Sequence, residues 1–502
     1  MTSRLTLLVS PASLFDRFDP FTTGVTYMPI GLAYGASSLV KTRHNIEVFD
    51  MFGESPKNAE KLGDFVRLGC ADVDLINRIK RCDPQLVVFY ANQVVNHDAI
   101  VESIRETRMN FPHLLIGLIE NTQAVTAYSL HSVSDEIFTT GADFYISGEM
   151  EFVLSKVIDE VCKGAKISEI DLVGFNTKDR RKTTADIIEN LDELSIPAWE
   201  YFPLKNYWDL GFSHGPLSSN SYFPILTSRG CPFPCKFCVV PSTNNRKWRA
   251  RSSQSVVDEI SYLNKKYGVS EFHLEDLNPT ISDIRMQEIA REITSRKLEI
   301  DWKIVAGTKV ESIKSLETLR LMKHSGLSYL SISPESGSKQ VLRDIGKPFN
   351  VKHARSIIRE CYKIGITTQA CFVLGYTTEK FLDRIKTLKL CIQLTVSGID
   401  EIVLFIMAPM PGSGVFESYI GQYKTLSSLN FSPRWRKDYI RLLAWRITAY
   451  IVFFITKFIK NPARMLRQVI NMLKGNYKTK MEMVPVRGVK YLKIAKNIKK
   501  NS

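Results

Sequence analysis

Cysteine and histidine are scarce in this chain, nine and eight among 502 residues. An odd cysteine count without regular spacing excludes a disulfide framework of the secreted kind and fits a reducing compartment. No secretory signal is visible in the first residues either. MTSRLTLLVSPASLF has one early arginine and a short apolar run that soon meets Pro and Asp, which reads as a first strand and predicts a cytoplasmic protein. There is no low-complexity run and no solenoid-type repeat. The C-terminal part lacks acid. From Arg434 onward, 18 Lys and Arg face only Asp438 and Glu482, a net charge of +16, while the preceding 433 residues carry 49 basic and 50 acidic groups. The overall charge of +15 therefore belongs to a tail. Any contact with nucleic acid or membrane concerns that tail and not the whole surface.

What is present is the composition of a globular protein, 44% hydrophobic and 24% charged, long enough for two or three domains. In residues 1–165, LTLLVS (5–10), IEVFDMF (46–52), LVVFYA (86–91), LLIGLI (114–119) and FYISGE (144–149) are continuous apolar runs separated by amphipathic stretches such as VDLINRIKRC (73–82). Buried strands alternating with helices predict an α/β domain with a doubly wound, flavodoxin-like parallel sheet. Residues 166–220, polar and aromatic, read as a connecting segment packed across two domains. From 221 to 430 a second alternation begins, with strands at 223–228, 272–276, 301–307, 329–335, 368–375 and 401–409. Six successive βα units predict a barrel or partial barrel with its chemistry at the strand C-termini. Residues 431–502 read as a basic helical tail.

Directly after the first barrel strand stands SRGCPFPCKFCVV (228–240), with Cys231, Cys235 and Cys238. Gly230, Pro232 and Pro234 oppose a regular helix, so the three thiols sit on an irregular loop that would wrap a metal centre. A structural zinc site takes four ligands; His214 or His273 would have to complete one, neither at a familiar spacing. A four-iron four-sulfur cluster held by three thiolates instead leaves one iron open to a ligand. A non-catalytic zinc-binding scaffold thus remains the alternative from another functional class.

The cysteine triplet with Phe237 before its third member resembles the radical S-adenosylmethionine (SAM) superfamily. The resemblance implies a partial (βα)6 barrel, a 4Fe-4S cluster on Cys231, Cys235 and Cys238, and SAM chelated by the open iron. It also implies reductive cleavage to a 5′-deoxyadenosyl radical, driven by a low-potential donor such as flavodoxin or ferredoxin, and a small-molecule substrate. Downstream, LEDLN (274–278) resembles the family's acidic end of the second strand, with Glu275 and Asp276 near the methionine amino group. SPESGS (333–338) resembles its E-S-G-S turn, placing Glu335 and Ser336 by the ribose and carboxylate. FVLGYTTE (372–379) resembles the stretch after the fifth strand, with Gly375 near the adenine and Tyr376, Thr377 and Thr378 in place of the usual turn. PMPGS (409–413) is similar to the P-x-P-G-[TS] turn after the sixth.

The N-terminal domain resembles the cobalamin-binding domain that precedes the barrel in one subgroup. YMPIGLAYGASSLV (27–40), EVFDMFGE (47–54) and GADFYISGEMEF (141–152), with Gly148 and Glu149, carry the likeness. The D-x-H-x-x-G signature of a lower axial imidazole is absent, and Glu120 and Asn121 stand where the subgroup has paired glycines. The subgroup implies a cobalamin-dependent C-methyltransferase. The alternatives are rearrangement or cyclisation without cobalamin, over a degenerate domain that only packs on the barrel. A methylthiotransferase would place a second cluster on three N-terminal cysteines and end in an RNA-binding β-barrel, which this helical tail does not match. Cys70, Cys82, Cys162, Cys361 and Cys391 read as buried structural residues, and Cys371 as a strand residue with a lumen-facing position as the alternative.

In the tail, Ile447 to Thr456 is a ten-residue run without charge, bracketed by Arg446 and Lys457 and short of the about 20 apolar residues that span a bilayer. The next stretch, 461–476, spaces Met465, Leu466, Val469, Ile470, Met472 and Leu473 at helical intervals among Arg464, Arg467 and Lys474. This predicts peripheral contact with a membrane surface, which would favour a hydrophobic substrate; the competing reading is a helix packed on the barrel. Nucleic acid ranks third, for want of aromatic stacking platforms.

Overall fold

Continuous apolar runs become buried parallel strands twice over in the computed structural model, which describes residues 5–19, 21–181 and 185–501. The first four residues of the N-terminal stretch lie outside that range. The first sheet contains β1 (Thr6–Ser10), β2 (Ile46–Asp50), β3 (Leu86–Ala91), β4 (Leu115–Glu120), β5 (Phe144–Ile146) and β6 (Phe175–Thr177), in the order β2-β1-β3-β4-β5-β6. Its strands are buried on both faces. Leu8 and Val88 pack with Leu32 and Leu154, on helices α1 (Ile30–Lys41) and α4 (Met150–Cys162). Their neighbours Leu7 and Val87 face the other way, onto Leu75 and Ile104 of α2 (Asp72–Cys82) and α3 (His97–Asn110). Two-sided burial is why these runs are apolar without alternation.

The five predicted parallel strands are all present. The sixth, antiparallel to β5, comes from the segment expected only to connect. That segment also carries Trp199, fully buried and packed on Phe223 of the second sheet, and Tyr207, whose hydroxyl donates to Asp50 at 2.7 Å.

The second sheet runs in sequence order: β7 (Tyr222–Ile225), β8 (Glu271–Leu274), β9 (Asp301–Thr308), β10 (Leu327–Glu335), β11 (Thr367–Leu374) and β12 (Glu401–Ile406), every neighbouring pair parallel. Helices α5 (Ser253–Tyr267), α6 (Asp283–Ser295), α7 (Leu316–His324), α8 (Val351–Ile364) and α9 (Phe381–Ser397) return the chain between strands. Each of these helices begins after a strand's carboxyl end, so the loops there form one mouth. β7 and β12 are not paired with each other, so this is the partial barrel that six units predict.

Three helices end the chain: α10 (Tyr439–Lys460), α11 (Pro462–Lys474) and α12 (Lys480–Asn501). The last is tied to both halves of the molecule. Met481 N–H donates to Glu401 at 2.7 Å and Lys480 Nζ to the Val305 carbonyl at 3.0 Å, while Tyr491 stacks on Phe15 at 4.9 Å. Arg487 is fully buried and donates to the Phe21 carbonyl.

Buried ion pairs join the two sheets. Arg249 grips Glu149 through two bonds of 2.8 and 2.9 Å, and Arg229 reaches Glu151 at 2.6 Å. Gly148, just before Glu149, has φ +90°, and a Cβ there would sit 2.1 Å from the Asp186 carbonyl oxygen, so only glycine fits.

Candidate active site

The cysteine loop leaves β7 at the barrel mouth. Ser228–Arg229 pairs with Arg249–Ala250 in a short antiparallel ribbon that fixes the loop's start. Gly230 then turns with φ +77°, its position for a Cβ 2.0 Å from the Lys247 carbonyl oxygen. The far side of the loop docks on the 345–347 turn: Lys236 N–H donates to the Ile345 carbonyl at 3.0 Å. A Cβ on Gly346 would lie 2.9 Å from Pro234 O. Two prolines and these contacts leave the loop little freedom, which preorganises its thiols.

Cys231, Cys235 and Cys238 are near enough to act on one another electrostatically. Burial pushes all three thiols up, Cys238 to about 12; the charge on Cys231 raises Cys235, and both raise Cys238, against the pull of Lys347. Three packed thiols that resist ionisation alone are a donor set that becomes thiolate when a cationic centre supplies the charge. Among the described residues no group of three or more Cys, His, Asp or Glu side chains is gathered for a single ion. His214 binds Glu275 at 2.7 Å and His273 binds Glu271 at 2.8 Å, so each imidazole that the zinc alternative would need is bonded to a carboxylate.

Around the thiols the structure adds residues that spacing did not reveal. Lys347 donates to Glu335 at 2.6 Å and lies 6.0 Å from the centre of the Phe237 ring. Burial works against its charge, but Glu335, Cys235 and Cys238 together raise it. Glu335 itself ends β10 with φ +61°, a left-handed conformation that a glutamate adopts at a cost. Phe237 meets Tyr376 edge-on at 5.6 Å. The Tyr376 hydroxyl is buried without a partner, and Glu335, Glu379, Cys235 and Cys238 all bear on it. Cysteine loop, Glu335, Phe237 and Tyr376 therefore form one group at the mouth.

The other predicted residues are spread wider. Ser336 is buried; its hydroxyl lies 3.2 Å from that of Thr387 and accepts from Ser338 N–H, so it shapes the turn after β10. Gly375, at φ +89°, donates to Glu379 at 2.8 Å, and its carbonyl accepts from Arg436 at 2.9 Å. Asp276 receives the Thr227 N–H and hydroxyl and the Ser228 hydroxyl, bracing the start of the cysteine loop. Glu275 belongs to a buried group with His214; Tyr27 packs on that imidazole at 4.8 Å, and Lys480 of α12 adds its charge. Burial opposes the Glu275 charge, but His214 holds this carboxyl below its usual range. The sequence offered His214 only as a candidate zinc ligand and did not announce Lys480; they come from the connecting segment and the tail. Cys371 lies 3.5 Å from the Ser331 hydroxyl and 3.4 Å from Gln369. Of the cysteines expected to be buried, Cys70, Cys361 and Cys391 are; Cys82 is half-buried and Cys162 is exposed, because it ends α4 at the surface.

At the seam between the first sheet's carboxyl edge and the barrel mouth, Ser129 N–H donates to Pro411 O at 2.9 Å and Asn244 to Thr122 O at 2.8 Å. Glu120, standing where glycines were expected, turns its carboxylate inward to accept Leu130 N–H at 2.8 Å and Gly148 N–H at 2.9 Å. It ties two loops together. Gln123 Oε1, Thr126 Oγ1 and Ser413 Oγ, all on loops of this seam, are buried without partners. A ligand rimmed with amides, as a corrin is, would satisfy such groups.

Comparison with known proteins agrees with this geometry. Residues 225–391 match the radical SAM superfamily model. An uncharacterized methyltransferase, PH0819, of Pyrococcus horikoshii is 27% identical over 82% of this chain and 82% of its own. The anaerobic magnesium-protoporphyrin IX monomethyl ester cyclase of Synechocystis is 24% identical over 76% of this chain and 70% of its own. Among solved structures, the radical SAM methyltransferase TsrM of Kitasatospora setae, with cobalamin and a [4Fe-4S] cluster bound, superposes with a TM-score of 0.61 at 16% identity, covering 84% of this chain and 78% of that one. At that identity the likeness is one of fold: a doubly wound domain in front of a partial barrel.

Proposed function

We propose, from the radical SAM superfamily model that residues 225–391 match, that the protein is a cobalamin-dependent C-methyltransferase acting on a small molecule. Cys231, Cys235 and Cys238 would hold the 4Fe-4S cluster. When bound, the cluster and SAM supply a one-electron cleavage that gives a hydrogen-abstracting radical, fed by a low-potential donor such as a flavodoxin or ferredoxin. The protein's own contribution is positioning. The proline-bound loop presents the thiols, Lys347 sets a positive charge beside them, and Phe237 and Tyr376 wall the site from water.

The observation that carries the methyltransferase reading is the seam. The edge at which doubly wound domains bind ligands abuts the barrel mouth, and three buried polar atoms on its loops lack partners. Protein made in cells supplied with cobalamin and purified without oxygen should retain a corrinoid, and vitamin-free protein should take it up. Protein that retains none and cannot be loaded would move the reading to rearrangement or cyclisation without cobalamin. That second reading draws on the cyclase of Synechocystis and on Glu120, whose side chain occupies the edge where backbone alone would leave room.

A further inference from the structure

We propose that the outer faces of α9, α10 and α11 form one apolar, cation-edged surface that lies in the plane of an anionic bilayer. The inner face of α10 is used: Leu442, Ala449 and Phe453 are buried, Arg446 pairs with Asp19 at 3.3 Å, and Lys457 binds the Asp400 carbonyl. These two cations, which in the sequence bracket the uncharged run, therefore point into the protein. The 22-residue helix is long and apolar enough to cross a membrane, by length and composition alone. Its fixed inner face keeps it on the barrel, so it offers one side only.

That side is strongly apolar. Ile447, Ile451, Ile455 and Ile459 are 51%, 53%, 56% and 71% exposed, four positions apart along one stripe. Next to it, α9 presents Leu382 and Ile385, with Phe381 edge-on to Trp445 at 5.4 Å. Beyond it, α11 has no buried residue and exposes Leu466, Val469, Ile470 and Leu473 on one face. Soluble monomers rarely expose connected apolar patches larger than a few hundred Å².

Charge identifies the occupant. α10 and α11 contain no acidic residue, and the single acid of α9, Asp383, is buried and bonded to Ser338 at 2.7 Å. Lys389 on α9, Lys460 on α10, and Arg467 and Lys474 on α11 are exposed, as are Lys386, which pairs with Asp383 at 3.0 Å, and Arg441, which pairs with Asp438 at 3.6 Å. A second copy docked by a two-fold axis through this face would set cations against cations, the nearest acids, Asp383 and Asp438, being already paired within their own copy. Anionic headgroups receive them all, at roughly 1 kcal/mol for each Lys or Arg near the surface.

The face also starts beside the mouth: Arg436, three residues before α10, holds the carbonyls of Gly375 and Met407 at the ends of β11 and β12. A mouth held at the interface suits a substrate dissolved in the lipid phase; that consequence, unlike the docking itself, rests on the enzymatic reading above.

The test is co-sedimentation of the full chain with vesicles of phosphatidylcholine alone and of phosphatidylcholine mixed with phosphatidylglycerol. Truncating the tail is unsuitable, since it would remove the buried Arg487 and Tyr491. The variant is Ile447→Gln/Ile451→Gln/Ile455→Gln, all surface positions, with its thermal unfolding compared to the parent. The parent should bind the anionic vesicles, less so at high salt, and the folded variant should bind about tenfold or more weakly. No binding by the parent, equal binding by the variant, or binding that ignores lipid charge would overturn the proposal. A parent that is dimeric without lipid and becomes monomeric in the variant would overturn it too, assigning the face to a second copy.

Discussion

At the scale of residues, the account rests first on three thiols. Replacing one leaves a two-thiolate site, so Cys235→Ala should stay soluble yet fail to assemble the cluster, read as iron content and the loss of charge-transfer absorbance. Retention of the parent's iron would remove the cysteine assignment. Glu120 gives a second expectation. Burial pushes this carboxyl up to about 7, so the folded protein holds a proton that the unfolded chain releases near its ordinary 4.5. Its contribution to stability is fully present below that lower value and is lost as pH rises through about 7, on the order of 3 kcal/mol in all. Urea midpoints at pH 5 and pH 8 should show the parent losing this stability relative to Glu120→Gln; parallel behaviour of the two would contradict the burial argument. The cysteines were legible because three of them within eight residues have few chemical uses. Lys347 was not, since more than a hundred residues separate it from Cys238 and only the fold brings its charge to the loop. Glu275 was named from the sequence, but its partner His214 lies in a segment without periodicity.

At the scale of elements, strands with continuous apolar runs were readable from the sequence almost to their ends, because burial on both faces leaves no other composition. β6 was not, since it is three residues long and includes Asn176 and Thr177. The tail shows a different limit. Its helices were foreseen, but a charged residue at helical spacing does not declare which way it points, and Arg446 and Lys457 turn inward. α12 was read only as part of a basic helical tail; it is a strut between barrel and first domain, with Arg487 and Tyr491 inside. The turn after β5 allows a direct check. At φ +90° with a backbone oxygen 2.1 Å from the Cβ position, Gly148→Ala must move the chain that carries Glu149, costing roughly 2 kcal/mol or more. A denaturation midpoint unchanged from the parent would show that the turn is not constrained in this way.

At the scale of the whole molecule, the two sheets are joined by buried Arg–Glu pairs, the cysteine loop stands at the mouth facing the seam, and α12 binds both halves together. This arrangement makes sense for an enzyme whose two cofactor regions must face one another while water is excluded. Its central claim is that the thiol loop serves SAM cleavage. The most direct measurement is 5′-deoxyadenosine released from SAM by protein reconstituted anaerobically with iron and sulfide and given a low-potential reductant. The account predicts release by the parent and none by Cys235→Ala. Parent protein with its full iron content that releases none, or release that persists in Cys235→Ala, would contradict it.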